Sequence, residues 1–177
     1  MKTYIALLRG INVGGHKKVP MAELSELLTK SGFESVRTYI QSGNVIFKCR
    51  EIPLSKLANG IQKSIKVHFG FDVSVLVRTR DQINTIFDNC PFPEEKKVNS
   101  YFAMLSEIPD NDLVKEACEK TYENEEYKIL NDCLYFYCAN GYGKAKFSMN
   151  YFEKKLEVAA TSRNYKTMVK LLALSEN

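Results

Sequence analysis

A chain of 177 residues can bury a core of its own, and 45% apolar with 26% charged residues is the make-up of an ordinary globular protein. No stretch approaches the roughly 20 continuous apolar residues of a membrane span, and Met1-Lys2-Thr3-Tyr4 opens a strand-like run without a signal-peptide layout, so a soluble cytoplasmic chain with no membrane partner is expected. The net charge of +4 is mild and excludes a strongly polybasic chain.

The first element in chain order is a strand from Tyr4 to Leu8, followed by a turn rich in glycine at Gly10, Gly14 and Gly15. Pro20 fits a first helical turn, and Met21, Leu24, Leu27 and Leu28 recur at helical spacing until Gly32. Val36 to Gln41 and Val45 to Lys48 read as two antiparallel strands joined by a turn at Ser42-Gly43-Asn44. After Pro53, a helix carries Leu54, Leu57, Ala58, Ile61 and Ile65 on one face and stops at Gly70; Val73 to Val77 is a closing strand. The order strand, helix, strand, strand, helix, strand is that of a split βαβ, ferredoxin-like unit.

Ile83, Ile86 and Phe87 mark a short helix that runs into Cys90-Pro91-Phe92-Pro93, the expected boundary. Beyond it come a strand from Tyr101 to Leu105, a helix from Asp112 to Thr121, and strands over Tyr127 to Leu130 and Leu134 to Ala139. A helix near Asn150 to Leu156 and a terminal helix with Tyr165, Met168, Val169 and Leu172 on one face complete the chain. The expected fold is therefore α+β, with two ferredoxin-like halves over residues 1–90 and 91–177, sharing a core, the second half lacking its last strand.

Charge is distributed unevenly. Residues 1–50 carry eight bases against three acids, residues 107–126 eight acids against two lysines, and residues 141–170 seven bases against two acids. Such an axis can steer an anionic partner or serve solubility. The five cysteines, Cys49, Cys90, Cys118, Cys133 and Cys138, are odd in number and scattered, which fits a reducing compartment better than a disulfide framework.

Three polar segments stand out. Arg9 to Lys17 lies between a strand and a helix, where backbone amides can receive an anion. Gly10 to Lys17 nearly spells a phosphate-binding G-x-x-x-x-G-K-[ST] loop, but His16 holds the lysine position and Lys17 the position of the magnesium-binding hydroxyl. Arg9, Asn12 and Lys17 are its candidate ligand-binding residues, against the reading that the glycines only make a tight connection.

The turn around Ser42 and Asn44 offers donors and acceptors without charge, suited to recognition, or simply to turn geometry. Thr161 to Tyr165 supplies Arg163 and Asn164 ahead of the terminal helix, where Thr161, Ser162 or Asn164 can cap it and Arg163 stands near its positive end. His16 and His68 do not form a metal motif, no cysteine carries a pKa-lowering motif, and no catalytic residue, metal or cofactor is assigned. The residues from Gln41 to Lys48 lack the alternating aromatics of an RNA-reading strand.

Leu7 to Gly15, then Lys18-Val19-Pro20-Met21 with Leu24, and Thr38-Tyr39 through Ser42-Gly43-Asn44-Val45 resemble the DUF1697 family of uncharacterised bacterial proteins. Weaker echoes are Asn89 to Phe92 and Thr161 to Asn164 with Thr167; Tyr165 stands where that family often has tryptophan. The resemblance implies a pair of α+β subdomains and no activity that could be transferred. The leading expectation is a binder of a small anionic or phosphate-bearing ligand at the Arg9–Lys17 loop, with catalysis left open. The alternatives are a nucleic-acid binder and a structural or protein-interaction module.

Overall fold

Apolar runs bounded by glycine and proline alternate with segments of helical period, and the chain folds accordingly. The computed structural model describes residues 1–176. The first six elements are β1 (Lys2–Leu8), α1 (Met21–Lys30), β2 (Glu34–Tyr39), β3 (Asn44–Cys49), α2 (Leu54–Phe69) and β4 (Val75–Thr79). Two helices follow, α3 (Arg80–Asp88) and α4 (Glu94–Lys97), then β5 (Ser100–Leu105), α5 (Asn111–Ala117), β6 (Glu125–Leu130), β7 (Cys133–Cys138), α6 (Met149–Leu156), β8 (Ala160–Asn164) and α7 (Tyr165–Leu174).

Two compact units result. One is Met1–Asn84 together with the described residues from Lys170 onward; the other is Thr85–Val169. Each contains a four-stranded sheet whose neighbours are all antiparallel, in the orders β2-β3-β1-β4 and β6-β7-β5-β8. The strands correspond one to one. In the first sheet Ile5 lies opposite Ile46 on one side and Arg78 on the other; in the second, Phe102 lies opposite Tyr135 and Arg163.

The second half is not missing its last strand. Ala160–Asn164 pairs along β5 and completes that sheet, where the sequence reads as a helix-capping segment. The terminal helix also buries a different stripe from the one expected. Met168 and Leu171 are fully buried, whereas Val169 is 41% exposed.

In the first unit Tyr4, Ala6 and Leu8 of β1 join Leu24 and Leu28 of α1 and Leu57, Ile61 and Ile65 of α2 in one core. Each leucine and isoleucine side chain is worth roughly 1.5–3 kcal/mol when removed from water. The helices stop as their sequences dictate: Gly70 takes the left-handed conformation at the end of α2 and its N–H donates to Lys66 O at 3.0 Å. In the second unit Ala103 and Leu105 of β5 pack with Ala117 of α5 and Phe152 and Leu156 of α6.

Candidate functional site

The turn after β1 is built by its own polar groups. Val13 to His16 reverses the chain with His16 N–H on Val13 O at 3.0 Å, and Gly14 (φ 57°) and Gly15 (φ 78°) occupy the two left-handed positions that such a reversal demands. Asn12 N–H donates to Lys17 O at 3.1 Å and closes the loop. Its side-chain amide donates to Val19 O (3.0 Å) and to Gln41 O (2.9 Å), while its Oδ1 accepts from Val19 N–H (2.8 Å). Asn12 thus ties the loop to the turn between β2 and β3.

That turn is held from both sides. Leu8 N–H donates to Gly43 O at 2.8 Å, and the wholly buried Asn44 donates to Tyr39 O at 3.0 Å and to Ser42 Oγ at 3.1 Å. The structure therefore brings together the Arg9–Lys17 loop and Ser42 with Asn44, as one scaffold. The Asn12 and Asn44 side chains are committed to holding it, because a buried amide left without partners is costly.

Lys17 emerges from this scaffold as a positioned cation. Its backbone is left-handed (φ 46°), a conformation costing a side-chain-bearing residue roughly 1–2 kcal/mol, and its ammonium donates to Asp72 O at 2.7 Å. There it borders an open groove of about 500 Å³ lined by Gln62, Lys63 and Lys66 of α2 and by Asp72 and Ser74 ahead of β4. Lys66 reaches Asp72 Oδ2 at 3.0 Å. Three lysines and one carboxylate thus line the groove, leaving an excess of positive charge. Arg9 stands at the other end of the loop, its N–H on Ser74 O at 3.0 Å.

The arrangement is not that of a nucleotide-binding phosphate loop, in which glycines run straight into a helix start. Here α1 begins only at Met21, after Pro20, and Val19 N–H is already taken by Asn12. Lys63 and Lys66 were not among the sequence candidates. Their i, i+3 spacing on α2 was legible, but their meeting with Lys17 depends on a contact between Lys17 and Asp72 that only the folded chain makes.

Arg163 and Asn164 lie in the second unit, at the end of β8. Arg163 is a buried strand residue immediately before the cap of α7; it donates to Ser162 O at 2.8 Å, and burial pushes its guanidinium pKa down to about 10. Asn164 Oδ1 accepts from Thr167 N–H at 2.9 Å, which makes it the cap of α7.

Burial raises the thiol pKa of Cys49, Cys90, Cys118 and Cys138, the last to about 11, so these side chains stay protonated near neutrality. Among the described residues no cluster of three or more His, Cys, Asp or Glu could hold a metal ion, and no helix is long and apolar enough to cross a membrane.

The family model described as protein of unknown function (DUF1697) matches residues 1–135. That stretch contains both the loop and the turn described above; Thr161 to Thr167 falls outside it. Among solved structures, the conserved bacterial protein SP0830 from Streptococcus pneumoniae is similar at 26% identity with a TM-score of 0.73, covering 99% of each chain. No curated protein matches.

Proposed function

Since this chain belongs to the DUF1697 family, whose description carries no activity to transfer, we propose from its own geometry that it binds a small anionic or phosphate-bearing ligand in the groove beside the Arg9–Lys17 loop. The observation that carries this reading is the convergence of Lys17, Lys63 and Lys66 on one open groove. A loop fixed by the Asn12 and Asn44 amides holds the first of these lysines in a strained backbone conformation. The lining supports binding: its one carboxylate, Asp72, is paired with Lys66. Each half, residues 1–90 and 91–177, is proposed to be a ferredoxin-like split βαβ unit, a reading supported by the strand orders above.

Isothermal titration of the full chain with inorganic pyrophosphate tests the reading. Saturable binding that weakens as salt rises is expected, with Lys63→Gln and Lys66→Gln each lowering affinity by roughly two- to fivefold, the range for exposed charge pairs. Absence of binding, or affinity unchanged in the double variant, overturns it. A short single-stranded DNA is the comparison probe: preference for it over pyrophosphate moves the groove to the nucleic-acid reading.

A further inference from the structure

A second cavity lies wholly in the other unit and has a different chemistry. It measures about 380 Å³, within the range of small-molecule pockets, and Tyr101, Tyr137, Tyr142, Tyr165, Asn164 and Lys166 contribute to its lining. Two of these rings end a ladder that starts in the core. Phe152 stacks on Phe147 (ring centroids 4.9 Å, planes 18° apart), Phe147 on Phe136 (4.3 Å, 11°) and Phe136 on Tyr101 (5.1 Å, 12°). Tyr142 follows at 4.9 Å and 31°.

The inner rungs are buried, so the stack is rigid, while Tyr142 is 53% exposed. An exposed ring packed on Tyr101 and Phe136 offers a preorganised face for one more planar ring, at little cost in side-chain ordering.

The charges select among planar ligands. The lining contains no carboxylate, and Lys166 is its one charged side chain, without an ion pair among the described residues. A cleft built for a neutral sugar would be expected to offer carboxylates to its hydroxyls; this one offers rings, the Asn164 amide and a cation.

We propose that the Tyr101–Tyr142 cleft binds a small planar heteroaromatic ligand bearing an anionic group, of the chemical class of a nucleoside monophosphate, its ring on the tyrosines and its anion toward Lys166. This site is independent of the lysine groove of the first unit, and neither stands or falls with the other.

The test is calorimetric titration of the full chain with adenosine 5′-monophosphate, uridine 5′-monophosphate, adenosine and inorganic phosphate. Both monophosphates are expected to bind. Tyr142→Ala lowers their affinity roughly tenfold, within the span measured for removal of one stacking ring, whereas Tyr142→Phe retains it. Lys166→Gln weakens both monophosphates and leaves adenosine unchanged. Because Tyr142 is half exposed, Tyr142→Ala is expected to stay folded, which a circular dichroism melt checks. The proposal is overturned if neither monophosphate binds, if Tyr142→Ala binds them as tightly as the parent, or if methyl glucoside occupies the cleft in their place. Binding of inorganic phosphate that is lost with Lys63 and Lys66 but not with Lys166 reports on the other groove alone, and without monophosphate binding it counts against this cleft.

Discussion

Replacing Gly43 by alanine probes the junction on which the lysine groove rests. Gly43 has φ 84°, and a Cβ placed there lies 2.6 Å from Leu8 Cβ and 2.9 Å from Ile11 Cδ1. The nearer atom is not the end of a flexible side chain. Leu8 Cβ is anchored to β1, whose backbone at that residue donates to Gly43 O at 2.8 Å, so relief requires the strand or the turn to move. The left-handed backbone adds roughly 1–2 kcal/mol and overpacking of two buried side chains roughly 1–3 kcal/mol, a loss of about 2–5 kcal/mol. Gly10→Ala is the internal control: φ is 68°, but no atom lies within 4 Å of the added carbon, so only the backbone part, about 1–2 kcal/mol, is expected. Urea unfolding followed by circular dichroism measures both. Equal losses for the two variants would refute the close approach of the turn to β1.

Asn12→Ala removes three hydrogen bonds to the backbone at Val19 and Gln41 and is expected to cost about 2–3 kcal/mol in the same assay; Asn12→Asp should not rescue it, because a carboxylate would face two carbonyl oxygens. Asn164→Ala should lose about 1 kcal/mol through the α7 cap, with Asn164→Asp retaining most of it; equal losses would mean the side chain does not act as the cap acceptor. The Tyr127 hydroxyl donates toward Ala117 O (3.0 Å) and Lys120 O (2.5 Å), and burial pushes its pKa up to about 12. Between the ordinary tyrosine value near 10 and 12 the folded chain keeps a proton that the unfolded chain releases, so stability falls as pH rises through that window. Tyr127→Phe should flatten the fall between pH 10 and 12 by about 1 kcal/mol, allowing for solvent screening, and an unchanged slope would assign the alkaline loss elsewhere.

The elements that sequence reasoning recovers are those whose signals are local. The leucines of α1 and the isoleucines of α2 recur at helical spacing between prolines and glycines, and the strands β1, β3, β5 and β7 are continuous apolar runs. The strand β8 escapes because its pattern is polar: Thr161 and Arg163 are buried along it, and an arginine inside a sheet mimics a loop residue. The exposed Val169 misplaces the buried stripe of α7 for the converse reason, an apolar side chain facing water.

At the candidate site, Asn12, Ser42 and Asn44 stand out in the sequence for their polarity, and in the structure the Asn12 and Asn44 amides bind backbone carbonyls. An amide bound to backbone carbonyls and one offered to a ligand look alike in sequence; only partners such as Gln41 O and Tyr39 O separate them. Beyond their i, i+3 spacing Lys63 and Lys66 carried no mark, since what distinguishes them from other helix-surface lysines is the groove they line with Lys17 and Asp72.

The most direct test of the anion-binding groove is a titration of the isotopically labelled full chain with pyrophosphate, followed by amide chemical shifts. Saturable shifts concentrated at Lys17, Lys63, Lys66 and Ser74, weakening as salt rises, are expected; no shifts, or shifts scattered over residues away from that groove, would contradict it.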